Sequence, residues 1–465
     1  MIRTVALFLS AVLAGGCTVT YADRFALLGG RLDALRGELA IPGLSAAVVK
    51  DGRVVWARGF GYADVERGVA AAPDTPYEIA SVSKPIGATL LMQLVEQGRL
   101  GLDDPMSKYS SDYKVDAVRV RHVLTHTSEG VPGQAYDYNG NLFDNLTDVA
   151  IAASGKRYRV LLADNVIDPL GMTKTSPGND IADGLPKMEE LLGATRARHY
   201  ADVLARMAKP YRLYGDGEIV RTYERERGIG TANGVVTTVL DLAKFDAAVD
   251  EHKLVSAASQ QQMWTNARTN DGHPIPYGLG WFIQNAGGTR VVWHNGYLPN
   301  RYSALLLKVV DQRLTLIVLA NSDALSAPFA LAKGDVTRSA IACAFLNDFV
   351  APSGCTAGGE ARIAQWREAR RKAARPEVPG SESELAQLAG RYRLPSGAIL
   401  TFAVHGGRLM MAGDDPPLTL FREGPDRFFA KANDYRYAFE RDAGGRVAAL
   451  KIEAGDETVA ASRVP

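Results

Sequence analysis

Strand-like segments at two distant places in the chain limit the possible folds more than any other feature of this sequence. The first is LSAAVVKDGRVVWARGF, in which Asp51 and Gly52 separate two apolar runs and favour a two-residue hairpin turn. Residues between about 85 and 234 have helical and loop-like patterns, and a later helix is predicted from about Ala327 to Phe349. Strand patterns return after residue 277, in GLGWFIQ, RVVWHNG, RYSALLLKVV and RLTLIVLANSD. We therefore predict an α+β domain in which distant segments form one antiparallel sheet beside a helical lobe, with a cleft between them.

The last part of the chain, residues 384–465, changes to short alternating apolar and polar runs separated by Gly, Asp and Pro. Eight such runs are present: GRYRL, AILTFAV, RLMMA, LTLFR, RFFAK, YRYAFE, RVAALKI and VAASRV. Eight short strands with tight turns between them favour a small, lipocalin-like, up-and-down antiparallel β-barrel. Residues 357–383 are charged and then rich in Pro, Gly and Ser, which is typical of a linker between this barrel and a first domain at residues 23–356.

The first 22 residues have the pattern of an export signal. MIRTVALFLSAVLAGGCTVTYA contains Arg3, an apolar run and then small residues, and the run is too short to span a membrane as a mature helix. Cleavage after Ala22 predicts a soluble periplasmic or secreted protein. Cys17 could instead be a lipid-attachment cysteine, which would be the expected link to a membrane, and the sequence leaves both alternatives open.

Removal of the signal leaves two cysteines, Cys343 and Cys355, in a compartment that permits disulfides. A disulfide between them would close a short loop and stabilise the fold by about 2–3 kcal/mol. The alternative is one buried thiol and one loop thiol. Two cysteines without nearby histidines do not predict a metal site.

The charge balance argues against nucleic acid as a partner. Lys and Arg number 53 against 52 Asp and Glu, so the net charge of +1 creates no global field, and a small molecule is the expected partner. No metal or cofactor is predicted. His122 and His126 are four residues apart but lack a third ligand, so we interpret them as structural. The segment GIGTANG at 228–234 lacks the preceding strand of a dinucleotide site, so we predict a loop there.

The segment EIASVSKPIGATLLMQLVEQGRL places Ser81 and Lys84 at the start of an apolar helix, one turn apart on the same face. Free backbone N–H groups and the positive end of the helix dipole disfavour an ammonium ion there, and burial lowers the pKa of a lysine further. The resulting neutral amine can take the hydroxyl proton of Ser81. The alternative is a helix-capping serine and a lysine that extends to the surface. The same spacing at Ser111 and Lys114 lies in a polar loop, and we do not expect that pair to react.

Six further blocks accompany EIASVSK along the chain: RHVLTHTSEG, YDYNG, DPLGM, ANGVVTTVLDLAKF, YGLGW and WHNG. Their order and distances resemble the serine hydrolases related to class C β-lactamases and penicillin-binding proteins, over about residues 28–350. That group includes D-alanyl peptidases, D-aminopeptidases and carboxylesterases. The resemblance implies a β-lactamase/D,D-peptidase-like fold and catalysis through a Ser-x-x-Lys nucleophile.

The resemblance also implies roles for residues in the first two catalytic elements. Ser81 and Lys84 match the nucleophile and its base. Tyr138 matches the tyrosine of a Tyr-x-Asn element and is expected to hold the proton network of Lys84 and to protonate the leaving group. Gly140 occupies the position of the asparagine, which in the relatives contacts a substrate amide. We expect this glycine to widen the substrate site and to disfavour turnover of β-lactams and peptides.

A third element, Lys/His-x-Gly on a strand, is matched by His294 and Gly296, and its histidine form resembles the esterases and peptidases more than true β-lactamases. His294 is expected to approach the substrate carboxylate or the hydroxyl of Tyr138, although a structural histidine is the alternative. Gly296 would let the strand backbone come close to the acyl group. The backbone N–H groups of Ser81 and Tyr297 would form the oxyanion hole.

Three functions are consistent with these residues. The first is an exported hydrolase that cleaves an ester or amide through an acyl-enzyme on Ser81. The second keeps this chemistry but acts on cell-wall peptides, as a D-alanyl peptidase, a D-aminopeptidase or a weak β-lactamase. The third is a non-catalytic penicillin-binding receptor. Gly140 and His294 favour the first.

Overall fold

The computed structural model describes residues 21–114, 116–215, 217–223, 228–351, 355, 358–413, 416–455 and 457–464. Cys17 and the first 20 residues of the predicted signal lie outside the described residues. Tyr21 and Ala22, which the prediction assigns to the signal, are the first two residues of a helix. Within the described ranges, no helix is both long enough and apolar enough to cross a bilayer.

The first part of the chain contains twelve strands and eleven α-helices among its described residues. The strands are β1 Gly43–Lys50, β2 Arg53–Asp64, β3 Val69–Ala70, β4 Tyr77–Glu78, β5 Ser176–Pro177, β6 Tyr211–Tyr214, β7 Glu218–Arg221, β8 Val235–Thr237, β9 Phe282–Ala286, β10 Thr289–Leu298, β11 Tyr302–Val309 and β12 Leu314–Ala320. The helices are α1 Tyr21–Glu38, α2 Ser83–Glu96, α3 Val120–Leu124, α4 Gly140–Asp144, α5 Leu146–Ser154, α6 Tyr158–Leu162, α7 Leu185–Leu192, α8 Ala194–Ala205, α9 Val239–Asp250, α10 Ala257–Met263 and α11 Ala340–Phe349.

One antiparallel sheet organises this part of the molecule, in the order β3-β2-β1-β12-β11-β10-β9. The central strand β1 pairs with β2 and, across more than 260 residues of sequence, with β12, so that Ala47 lies opposite Ile317. Asp51 and Gly52 form the predicted turn, with φ angles of 52° and 75° that suit a tight hairpin. The prediction of an α+β fold with one sheet built from distant segments is confirmed.

Both faces of the sheet are buried at β1, β11 and β12, which explains why these strands are nearly continuous apolar runs. Ala47 and Val49 belong to a core shared with the helical lobe, whereas Ala46 and Val48 belong to a second core on the opposite face, with side chains from α1 and α11. Strands covered on both faces have apolar side chains at most positions. The candidate site lies on the lobe side of the sheet.

The helix predicted at about 327–349 forms only in its second half. The α-helix begins at Ala340, and the residues before it form short 3₁₀ turns. Ala330 and Gly334 have φ angles of 49° and 84°, which a right-handed helix does not permit. In the structure Cys343, on this helix, is joined to Cys355 by a disulfide, with Cα atoms 5.5 Å apart.

The C-terminal part is a closed eight-stranded antiparallel barrel in which each strand pairs with the next and the last pairs with the first. This confirms the predicted barrel. Its core includes the rings of Tyr392, Phe402 and Phe439, whose centroids lie about 5.5 Å apart in edge-on contacts. The strands are β13 Gly390–Arg393, β14 Ile399–His405, β15 Arg408–Ala412, β16 Leu418–Gly424, β17 Arg427–Ala430, β18 Arg436–Arg441, β19 Val447–Ala454 and β20 Glu457–Val464.

The segment predicted as a linker contains a helix, α12 Gly359–Ala373, and the next helix, α13 Glu382–Leu388, crosses into the barrel domain. Ile363 of α12 is buried in the core that contains α1 and α11, and Arg367 donates a hydrogen bond to the carbonyl of Glu38. Most positions of α12 are polar or charged and Ile363 is its one fully buried residue, which is why the sequence resembles a linker. Pro, Gly and Ser follow the helix, at residues 376–381.

The hairpin β6-β7 joins the first domain to the barrel. Val220 and Tyr223 pack against the barrel core, and the ring of Tyr214 stacks on Phe429. Tyr223 also donates its hydroxyl hydrogen bond to the carbonyl of Pro416. The two domains therefore share an apolar contact.

Candidate active site

Ser81 lies in a 3₁₀ turn, Ala80–Val82, that leads directly into helix α2. Ala80 has a φ of 49°, in the left-handed region, at a cost of about 1–2 kcal/mol for a residue other than glycine. This backbone turn leaves Ser81 partly exposed, while Ser83 and Lys84 are buried. The strained turn therefore presents the hydroxyl at the surface of the cleft and places the lysine behind it.

Lys84 is 1% exposed, and its amine is surrounded by groups suited to a neutral nitrogen. Its Nζ lies 2.9 Å from the Oγ of Ser81 and donates a hydrogen bond to the carbonyl of Ala232 at 3.3 Å. The rings of Tyr138 and Phe143 each have their centroid 5.2 Å from Nζ. Burial lowers the pKa of Lys84 to about 7, against a smaller opposing effect of a nearby carboxylate. Near neutral pH a large share of this lysine is therefore a neutral amine, able to accept the proton of Ser81.

Tyr138 lies beside the same two groups. Burial raises its pKa well above the usual range, and a hydrogen bond with Ser81 offsets only part of that effect. Its ring stacks on Phe282 and lies 4.3 Å, centroid to centroid, from the ring of His126. Tyr138 is therefore a protonated phenol at neutral pH, which leaves Lys84 as the better proton acceptor of the two.

Gly140 faces the amine of Lys84, because a Cβ atom built on it would lie 3.6 Å from Nζ. A side chain at this position would extend into the space beside the lysine. The adjacent Asn139 does not replace it, since its side chain caps helix α4 by accepting hydrogen bonds from the N–H groups of Asn141 and Leu142. The site is thus wider at this point than an asparagine would leave it.

His294 is placed differently from the prediction. It is 0% exposed, its Nε2 lies 2.8 Å from the hydroxyl of Tyr277, and its Nδ1 lies 2.7 Å from the carbonyl of Asn295. Both ring nitrogens already have partners within the protein, and burial holds its pKa well below the usual range. The hydroxyl beside His294 is thus that of Tyr277, and the contact with a substrate carboxylate stays a prediction. His294 instead supports the wall behind Tyr138, whose ring centroid is 6.1 Å away.

Gly296 brings strand β10 against the turn that carries Ser81. A Cβ atom at this position would lie 2.2 Å from the carbonyl oxygen of Ile79, a distance that no side chain tolerates. β10 pairs with β9 only as far as Trp293, so the edge of β10 beyond that residue faces the Ser81 turn. Tyr297 follows Gly296 on this edge, which is where a second oxyanion donor is expected.

Two parts of the site were missed in the sequence. His126, predicted as structural packing, accepts a hydrogen bond from the N–H of Asn139 at Nδ1, and its ring packs in a tilted arrangement against that of Tyr138. The loop at 228–234, predicted correctly as a loop, supplies the Ala232 carbonyl to Lys84, and Asp144 accepts the hydrogen bond of the Ala232 N–H. The one sequence feature that could have indicated a role for His126 in the site is its position shortly before the YDYNG block.

The remaining candidates do not join the site. Lys114 is bonded to the backbone carbonyl of Ser111 at 2.5 Å, and both residues are exposed or nearly so, as predicted for this second Ser-x-x-Lys pair. The Nδ1 of His122 accepts the N–H of Arg119. Among the described residues, no group of three His, Cys, Asp or Glu side chains is close enough to hold a metal ion.

Comparison with known proteins agrees with this geometry. The model of the β-lactamase family matches residues 30–336. The chain belongs to the β-lactamase family. A second model, for a domain of unknown function (DUF3471), matches residues 374–462. The family and its structural neighbours are serine hydrolases.

Individual relatives are distant. Penicillin-binding protein 4* of Bacillus subtilis is 28% identical over 313 residues, which are 58% of this chain and 66% of that protein. An octameric penicillin-binding protein homologue from Pyrococcus abyssi matches with a TM-score of 0.59 and 21% identity, over 94% of this chain and 99% of its own. A D-stereospecific amidohydrolase from Streptomyces matches with a TM-score of 0.51 and 19% identity, over 70% and 98%. Because these solved structures are at most 21% identical to this chain, they support its fold alone.

Proposed function

We propose that this protein is an exported serine hydrolase that cleaves an ester or amide bond through an acyl-enzyme on Ser81. The observation that carries this proposal is the distance of 2.9 Å between the Ser81 hydroxyl and an amine whose pKa burial lowers to about 7. A serine beside an available base is the arrangement that nucleophilic catalysis needs.

Acylation follows from the positions of the three side chains. The Oγ of Ser81 attacks the carbonyl carbon while Lys84 accepts its proton. The negative charge on the carbonyl oxygen is held by the N–H groups of Ser81 and Tyr297. The leaving group then takes the proton of the Tyr138 phenol, and Lys84 returns a proton to Tyr138. The leaving alcohol or amine departs neutral, and Lys84 is again an amine.

Deacylation uses the same groups. A water molecule attacks the acyl carbon and gives its proton to Lys84 as the base. The ester bond to Ser81 then breaks, and the proton passes to its oxygen. The products are the carboxylic acid and free Ser81.

The substrate class is proposed from the space beside Lys84. Gly140 leaves room for a wider acyl group and removes the amide side chain that would contact a substrate amide. An ester can be cleaved without a side chain that contacts a substrate amide, whereas binding of a peptide is strengthened by that contact. These features support an esterase as the principal activity and a D-alanyl peptidase as the second candidate.

The export part of the proposal rests on the apolar leader at residues 1–22 and on the disulfide, which is stable in an oxidising compartment. Expression of the full chain in a bacterium, followed by fractionation and N-terminal sequencing, tests it. A periplasmic or secreted product that begins at residue 23 supports the proposal. A cytoplasmic product that retains residue 1 contradicts it.

Activity is tested with a nitrophenyl acetate, a chromogenic cephalosporin and a D-alanyl dipeptide. We expect the acetate to be the best substrate, and Ser81→Ala to lower its turnover by about four powers of ten or more. The matched control is Ser111→Ala, which alters the unreactive Ser-x-x-Lys pair and should keep the wild-type rate.

Other outcomes select other functions. Preferred turnover of the dipeptide indicates the peptidase. No turnover, with a labelled penicillin attached stably at Ser81, indicates the receptor. A Ser81→Ala protein that hydrolyses the acetate at the wild-type rate refutes the nucleophile.

A further inference from the structure

A cavity lies where the first domain meets the barrel, and Ser81 is not among the residues that line it. Its volume is about 330 Å³, and its walls come from strand β6, the end of helix α12 and the barrel segment around residue 430. Three arginines line it: Arg212, Arg370 and Arg375. The activity proposed above uses none of these side chains.

Two buried donors on the wall of this cavity have no acceptor among the described residues. One is the Nε of Arg212, on a residue that is only 5% exposed, and the other is the side-chain Nδ2 of Asn433. A buried N–H group without a partner costs about 1–3 kcal/mol. Both groups are donors, so the ligand that would satisfy them must offer acceptor oxygens.

The charges of the wall favour an anion. One carboxylate lines the cavity, that of Asp434, which binds Arg212 at 3.0 Å and is 69% exposed. Behind the wall, Asp323 accepts a hydrogen bond from Arg370 at 2.9 Å and keeps one buried oxygen unpartnered. Arg212 and Arg370 are each paired with one carboxylate, so the three guanidinium groups exceed the nearby carboxylates by one positive charge. A guanidinium binds an oxyanion through two parallel hydrogen bonds.

Each of the three guanidinium groups also lies over an aromatic ring that lines the cavity. Arg212 lies 5.8 Å from the ring centroid of Tyr214, Arg370 5.5 Å from that of Trp366, and Arg375 5.8 Å from that of Phe429. The rings hold the guanidinium groups in place and offer an apolar surface beside them. A bare inorganic ion would leave this surface uncovered.

We propose that this cavity binds a small organic carboxylate, with its oxygens on the arginines and Asn433 and its apolar body against the aromatic rings. The combination of unpartnered donors, excess positive charge and aromatic walls specifies this chemistry. Because the cavity includes Asn433 and Phe429 from the barrel and Arg212 from the first domain, the site exists only when the two domains are docked.

Calorimetric titration of the full-length protein with benzoate tests this inference, with inorganic phosphate and benzyl alcohol as the other arms. We expect benzoate to bind and both others to bind at least about tenfold more weakly. Arg375→Gln and Ala373→Trp should each weaken benzoate binding by about tenfold or more, the first by removing a charge and the second by filling the cavity from an exposed position.

The control is Arg446→Gln, at an arginine that is 86% exposed and paired with Asp442 outside the cavity. Its benzoate affinity should equal that of the wild type. Circular dichroism verifies that each variant is folded. Benzoate binding that survives both cavity variants, phosphate binding as tight as benzoate binding, or no binding of benzoate to the wild type would each overturn the proposal.

Discussion

Burial acts in opposite directions on the two groups beside Ser81. It disfavours the charged form of each, so it lowers the pKa of the Lys84 amine and raises that of the Tyr138 phenol. Near pH 7 about half of the Lys84 amine is therefore neutral and can accept a proton, and the Tyr138 phenol keeps its proton and can donate it. A single physical cause prepares both halves of the proton transfer.

The first prediction concerns pH. Lys84 must be neutral to accept the Ser81 proton, and its pKa is lowered from 10.5 to about 7. We expect kcat/KM for the ester to rise with pH below about 7 and to level off above it, because the neutral fraction increases as pH passes the pKa. Lys84→Arg, which stays charged, should be inactive throughout. A rate that keeps rising to pH 10 would contradict the lowered pKa.

The second prediction concerns Gly140. Gly140→Asn would place an amide beside the Lys84 amine, because the new Cβ lies 3.6 Å from Nζ. We expect the ratio of amide to ester turnover to rise by about tenfold, since the side chain contacts a substrate amide and narrows the site. Gly140→Ala adds the Cβ alone and is the control. Equal changes in both variants would show that volume, and not the amide, is responsible.

The third prediction concerns His126. His126→Phe keeps a ring against Tyr138 but removes the acceptor of the Asn139 N–H. We expect kcat to fall by about tenfold while KM changes little, because the lost hydrogen bond loosens the backbone that carries Tyr138. His122→Phe, at the structural histidine outside the site, is the control. A KM effect without a kcat effect would place His126 in substrate binding instead.

At the scale of elements, the site depends on how closely strand β10 approaches the turn that carries Ser81. Gly296 permits that approach, since its ideal Cβ would lie 2.2 Å from the Ile79 carbonyl oxygen. The strand and the turn together position the two expected oxyanion donors. The proposed nucleophile and the proposed oxyanion donors are therefore coupled by backbone packing.

The fourth prediction tests this packing. Gly296→Ala should lower kcat by about two powers of ten or more, because β10 must move away and one oxyanion donor moves with it. Gly424→Ala is the matched control, since Gly424 is also a strand glycine but has no atom within 4 Å of an added Cβ. Full activity in Gly296→Ala would show that the Tyr297 N–H is not a donor.

At the scale of the whole molecule, the hairpin β6-β7 couples the two domains. Val220 packs against the barrel core, whereas its neighbour Ile219 is exposed. The barrel thus covers apolar surface of the first domain, and the two domains should unfold together.

The fifth prediction tests this coupling by scanning calorimetry. Val220→Asp should weaken docking by about 2 kcal/mol and split the single unfolding transition of the wild type into two. Ile219→Asp places the same charge on the exposed face of the same strand, so its transition should remain single. A single transition in both variants would mean that the hairpin contact contributes little to domain coupling.

The sequence predicted local patterns well. The Asp51-Gly52 hairpin, the eight barrel strands and the adjacency of Ser81 and Lys84 all depend on residues close together in the chain, where spacing and turn chemistry set the geometry. The sequence predicted less well the segments whose structure is decided by tertiary packing and not by the local pattern of apolar residues. Helix α12 has too many charges to resemble a packed helix, and the segment before Ala340 takes left-handed backbone angles that no apolar pattern reveals.

The sequence by itself determined most of the strands, the barrel and the spacing that places Ser81 beside Lys84, because these follow from periodicity and short-range spacing. Tertiary structure alone decided the rest of the site. Burial sets the pKa of Lys84, and packing buries His294 against Tyr277 and brings His126 to Tyr138 and the Ala232 carbonyl to Lys84. The pKa of Lys84 and the neighbours of these side chains depend on contacts between residues far apart in the chain. Such contacts, and the burial that they cause, exist only once the chain has folded.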